Sequence, residues 1–119
     1  LYAPWRPDPR PLEGLLQGSY AHIGVTDVWR ALRTVRTGDE REEAEHQFAR
    51  WRMMTAEAIR RLLDTGSLTS TGEQFVRAMG DTVEPWLSEH VTPAIEDAAR
   101  YRAEKHRAAW EARRAASAR

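Results

Sequence analysis

His22 is the residue whose surroundings most invite chemistry. It lies in an apolar stretch from Leu12 to Val25, one helical turn after Gly18 and one before Thr26. An imidazole in such company needs a hydrogen-bond partner or a metal ion. Two readings stay open. One is a core histidine bonded to a backbone carbonyl or a neighbouring carboxylate. The other is a metal ligand, which needs companions. The sequence has no HExxH pair, and no two of its four histidines have ligand spacing, so these residues alone offer no complete metal site. His46, His90 and His106 fall on charged faces or at a helix junction, where solvated residues or caps are expected.

Arg6 and Arg10 are the next candidates. They sit on a proline-stiffened segment, Tyr2-Ala3-Pro4-Trp5-Arg6-Pro7-Asp8-Pro9-Arg10-Pro11. A guanidinium held on a rigid backbone suits two-pronged capture of a carboxylate. Ordinary packing competes with that role: Arg6 stacked on Trp5 or Trp29, and Arg10 paired with Asp8 or Glu13. The prolines also satisfy a loose polyproline motif, though such spacing more often marks a connector. Gln17-Gly18-Ser19-Tyr20 places polar side chains beside glycine, and Gln17 and Tyr20 could line a small pocket. Ser19 lacks the sharp strand-to-helix turn of a nucleophilic serine and has no third partner in view. Glu42, Glu43 and Glu45 read as a solvated helix start. The basic stretch from Arg100 to Arg114 reads as a solvated helix face.

The elements that must position these residues are helices. The pattern predicts an all-α fold: an antiparallel bundle of about four helices over residues 12–36, 40–65, 71–87 and 93–116, after a Pro-rich N-terminal arm over 1–11. The four prolines leave the arm extended or turned. The first helix carries Leu12, Leu15, Leu16, Tyr20, Ile23, Val25, Val28, Trp29 and Leu32 on more than one stripe, so it is expected to be buried on most sides. Gly14, Gly18 and Gly24 weaken it, and close approach of another backbone or a ligand would explain them. A kink near Gly24 is an open alternative. Asp39 and Glu42 have capping-box spacing, as do Ser70 and Glu73. The second helix shows one buried face through Ala44, Phe48, Trp51, Met54 or Thr55, Ala58 and Leu62. Arg50, Arg60, Arg61, Glu43, Glu45 and Glu57 fall on its expected solvated side. Gly66 suits the residue after its end. Pro85 should kink or end the third helix, and Thr92-Pro93 should open the fourth.

Composition narrows the class. The 119 residues suffice for one helical domain or for the C-terminal part of a larger one. Lys plus Arg equals Asp plus Glu, which argues against nucleic acid as the main partner. No apolar run is long enough for a membrane span, so no membrane partner is expected. The lack of cysteine removes disulfides and thiolate metal sites and fits a cytoplasmic setting. The start at Leu1 predicts a piece of a longer chain.

The arm and the following Gly14-Leu15-Leu16-Gln17-Gly18-Ser19-Tyr20-Ala21-His22 resemble the segment downstream of the metal motif in bacterial HExxH-motif peptide-modification proteins. Leu68-Thr69, Gly72, Phe75-Val76 and Trp86 resemble later helices of the same domain. The resemblance covers most of the chain, and the arm with the first helix is its specific part. It implies an Fe(II)- and 2-oxoglutarate-dependent peptide β-hydroxylase acting on a ribosomally made precursor peptide, beside or fused to a radical SAM maturase. In that family the HExxH helix gives two histidines and a downstream histidine completes a three-histidine face, a position that maps here to His22. Arg6 or Arg10 then becomes the partner of the 2-oxoglutarate carboxylate, on chemical grounds rather than by motif. Gln17 and Tyr20 would orient substrates. The missing HExxH would lie in the N-terminal part of the same chain or be lost. Two other readings accompany this one: a zinc hydrolase on the same scaffold, and a non-catalytic peptide-recognition or maturase-extension module.

Overall fold

The helix from Gly38 to Asp64 is the one that the others lean on. The computed structural model describes residues 1–118, and these form four helices and no strand: α1 (Leu12–Val35), α2 (Gly38–Asp64), α3 (Ser70–Leu87) and α4 (Pro93–Ser117). α2 packs against each of the other three, and α1 also meets α3. The apolar period of α2 explains this. Ala44, Phe48, Met54, Ala58 and Leu62 are buried, in a core completed by Leu15 of α1, Val76, Val83 and Trp86 of α3, and Ile95 of α4.

Because α2 is covered on several sides, its charged residues divide differently from the expectation. Glu45 and Glu57, assigned to the solvated side, are buried, and so is Arg52. Each has partners from elsewhere. Burial pushes the Glu45 carboxyl up, but the Thr92 N–H at 2.7 Å, the Thr92 hydroxyl at 3.0 Å and nearby Arg41 and Arg33 outweigh it and leave the group below its ordinary range. Glu45 thus supplies from another helix the anion that the N-terminus of α4 favours. The Arg52 guanidinium donates to the carbonyls of Trp86 (2.7 Å) and Glu89 (2.8 Å) and to the Glu96 carboxylate (2.7 Å). Beside it, Arg33 donates to the His90 carbonyl and to Glu89, which also holds Arg30.

Helix ends depart from the expected caps by small shifts. Thr69, not Ser70, caps α3, accepting from the Gly72 N–H at 3.0 Å. α2 begins after Thr37 without a side-chain cap, so the Asp39–Glu42 box does not open it. Gly38 and Gly66 both take positive φ, and Gly66 does so just past the end of α2 as expected. α3 runs through Pro85 to Leu87. The missing N–H there orphans a carbonyl at exposed Asp81, where water can replace the lost bond.

α1 is not buried on most sides. Only Leu15, Ser19, Thr26 and Arg33 are buried, while Tyr20, Val25, Val28 and Val35 are exposed. It is an outer helix that runs unbroken through Gly24. The segment before it is turned rather than extended. The Leu1 nitrogen donates to the Arg10 carbonyl and the Arg10 N–H donates back to Leu1, each at 2.8 Å, so residues 1–10 close into a loop. Tyr2, Ala3 and Pro4 are buried beneath it.

Candidate functional site

The loop and α1 meet at Gly18. A Cβ there would come within 2.8 Å of the Trp5 ring, so glycine is what lets the indole approach the helix this closely. Gly14 serves Arg10 in the same way, since a Cβ would sit 2.9 Å from its guanidinium. The close approach anticipated for these glycines is therefore made by side chains. At Gly24 nothing lies within 4 Å.

One turn after Gly18, the His22 ring is held between two indoles. Trp5 lies 4.5 Å away and tilted, and Trp51 of α2 lies 4.6 Å away and nearly parallel. His22 Nδ1 is 2.6 Å from the Gly18 carbonyl. A carbonyl only accepts, so Nδ1 carries the hydrogen and the lone pair of the neutral ring is on Nε2. The sequence pattern pairs neither tryptophan with His22. Trp51 was legible as part of the α2 face, but nothing in its spacing named its neighbour across the interface. Ser19 donates its hydroxyl to the Leu15 carbonyl and Thr26 donates to that of His22, both at 2.7 Å, as buried helix hydroxyls commonly do.

His22 borders an open pocket of about 620 Å³ with Trp5, Arg6, Arg10, Gln17 and Gly18. Four of the five candidate residues therefore share one place. Tyr20 does not: it is 64% exposed and its ring stands 5.7 Å from Phe75 of α3. The two arginines differ. Arg6 spends its fork on Asp8, with Nε and Nη2 at 3.0 and 2.9 Å, and these bonds hold the Asp8 carboxyl below its usual range. Arg10 lies along Gly14 with no carboxylate in ion-pair contact among the described residues, so it keeps its charge for a ligand. Among those residues no three His, Cys, Asp or Glu side chains come together as a metal group, and His22 stands alone as a ligand candidate.

A second imidazole departs from the solvated position its sequence predicts. His106 of α4 is half-buried, not solvated, and its Nδ1 is 2.7 Å from the Tyr2 hydroxyl. Burial depresses its pKa, with Arg113 and Arg50 adding to the effect against a bond to the Arg6 backbone. Tyr2 also meets Trp110 edge-on at 5.1 Å, and Arg113 donates to the Pro7 carbonyl at 2.7 Å. These contacts seat the loop on α4, and thereby fix Trp5 over His22. His46 and His90 are exposed.

No protein-family model, curated protein or solved structure matches this chain.

Proposed function

We propose that this chain is the C-terminal part of a metal-dependent peptide-modifying enzyme of ribosomal peptide natural-product biosynthesis, an Fe(II)- and 2-oxoglutarate-dependent peptide β-hydroxylase, with His22 as one metal ligand. The observation that carries the reading is the place of His22 on an open pocket beside Arg10, with its Nδ1 bonded to the Gly18 carbonyl, a bond that a core histidine would share. Metal-binding histidines commonly fix their second ring nitrogen on a carbonyl or carboxylate, which orients the ring and frees the other nitrogen for the metal. The residues present fit one corner of such a site. The other two histidines would come from an HExxH helix in the N-terminal part of the same chain. When bound, the iron would supply oxygen activation for insertion at a peptide Cβ. Arg10 would hold the cosubstrate carboxylate, a role that Arg6 could share only by giving up Asp8. Gln17 would hydrogen-bond a substrate at the rim, and Tyr20 has no part in the pocket.

The reading brings with it a precursor peptide, a radical SAM maturase as neighbour, and the reducing cytoplasm that ferrous iron favours. It also takes successive helices as antiparallel. Supporting contacts are His22 with Trp51 between α1 and α2, and Arg52 with Trp86 between α2 and α3.

The test uses the full-length protein with Fe(II), 2-oxoglutarate, O₂ and the precursor peptide. Succinate release and a peptide heavier by one oxygen are expected, with iron and activity both lost in His22→Ala. Iron content unchanged by that substitution would sink the ligand assignment. Turnover with zinc and without 2-oxoglutarate would indicate the hydrolase instead. The lack of a three-ligand group among the described residues favours a second reading, a peptide-recognition module without metal. It predicts peptide binding that a chelator leaves intact and no modification.

A further inference from the structure

A second concavity lies away from His22, between the loop and the end of α4. It measures about 740 Å³, and its walls include Tyr2, Pro7 and Trp110, with Arg61, Arg113 and Arg114 around them. Aromatic and proline surfaces there offer an apolar floor, and the guanidiniums give it a sign. Arg114 lies over the Trp110 ring, 5.3 Å from its centroid, and Arg61 lies over Tyr2 at 4.8 Å.

The local charge is positive although the whole chain is neutral. Arg113 and Arg114 make no ion pair among the described residues, and Arg113 bonds only the Pro7 carbonyl. Arg61 shares a single carboxylate, Glu57, with Arg60 and Arg107. Asp8, the acidic residue in the wall, is already committed to Arg6. A neutral apolar ligand would leave these cations uncompensated, and a basic one would be repelled.

We infer that this groove docks an acidic peptide segment carrying an aromatic or large aliphatic side chain, the side chain against Trp110 and Pro7 and the carboxylates on Arg113, Arg114 and Arg61. Pro7 and Asp8 line both this groove and the His22 pocket, forming the ridge between them. A peptide anchored in the groove can therefore extend over that ridge toward His22. That this peptide is also the one modified rests on the function proposed above, whereas the docking itself does not.

The experiment is fluorescence anisotropy on the full-length protein with a labelled peptide in which phenylalanine is flanked by glutamates. Two control peptides replace the glutamates by lysine or the phenylalanine by alanine. Both controls are expected to bind about tenfold more weakly or worse, and added salt should weaken the acidic peptide. Arg113→Glu with Arg114→Glu should cost about tenfold or more, and Arg113→Lys with Arg114→Lys much less. These positions are exposed at a helix end, and an unchanged circular dichroism spectrum verifies the fold. Should Trp110→Ala disturb that spectrum, the paired Arg variants carry the test alone. Equal binding of the lysine peptide, or unchanged affinity in the Arg→Glu pair, overturns the inference. His22→Ala should leave the affinity unchanged while modification is lost, and an unsubstituted protein that binds the acidic peptide but never modifies it counts against the metal reading and not against the groove.

Discussion

Gly18 and Gly24 both lie within α1 and call for opposite outcomes on substitution. At Gly18 a methyl group runs into an indole ring packed on His22, so the ring must shift off that histidine to admit it. Gly18→Ala should therefore destabilise by about 1–3 kcal/mol, the range for overpacking. At Gly24 the space is open and the backbone is helical, so Gly24→Ala should stabilise by about 0.5–1 kcal/mol. Urea denaturation of the two variants checks both signs. Sequence identified both glycines as costly to the helix. It could not tell them apart, because the difference lies in Trp5, which reaches Gly18 only once the loop has closed. His106 gives a second residue-scale prediction. Its pKa is lower folded than unfolded, where it is about 6.5. The unfolded chain then binds the extra proton first as pH falls, so stability is full above that value and declines below it. Unfolding measured between roughly pH 5 and 8 should show this decline. The part due to the imidazole should disappear in His106→Gln.

At the scale of elements, Arg52 ties α2 to the turn between α3 and α4. Arg52→Ala would leave the Trp86 and Glu89 carbonyls and the Glu96 carboxylate without their shared donor. The expected loss is about 3–5 kcal/mol, as for a broken buried ion pair, read from the urea midpoint. The existence of four helices was legible because apolar spacing and glycine or proline punctuation are local signals. The buried face of α2 was legible for the same reason. The roles of Glu45, Arg52 and Glu57 were not. A charged residue enters a core only with partners, and beside the local Arg41, Arg60 and Arg61 theirs include Thr92, the α3–α4 turn and Arg107, far along the chain. The misreading of α1 has a related cause. Its apolar residues count toward burial on paper, but only a neighbouring element can cover them, and α2 with α3 reaches one side.

The whole molecule is thin. Its extents are 47 × 36 × 18 Å and its radius of gyration is 15.2 Å, against roughly 13.5 Å for a compact domain of this length. Helices gathered around α2, rather than closed into a ring, leave α1 with an uncovered outer face. Of the candidate site, the gathering of Arg6, Arg10, Gln17 and His22 was legible, since all lie within one loop and the first turns of one helix. What positions them was not, because it is fixed from the other end of the chain by Tyr2 on His106 and Pro7 on Arg113. That fixing has a topological consequence. Leu1 and Ser117 line the same groove, so the segment before α1 and the end of α4 are held side by side. A backbone cut at the exposed Gly66 turn should therefore leave two pieces that stay together, joined by this seam and by the packing of α3 and α4 on α2, with the parent's helical spectrum. In the nicked protein the loop, His22 and its two tryptophans keep their places.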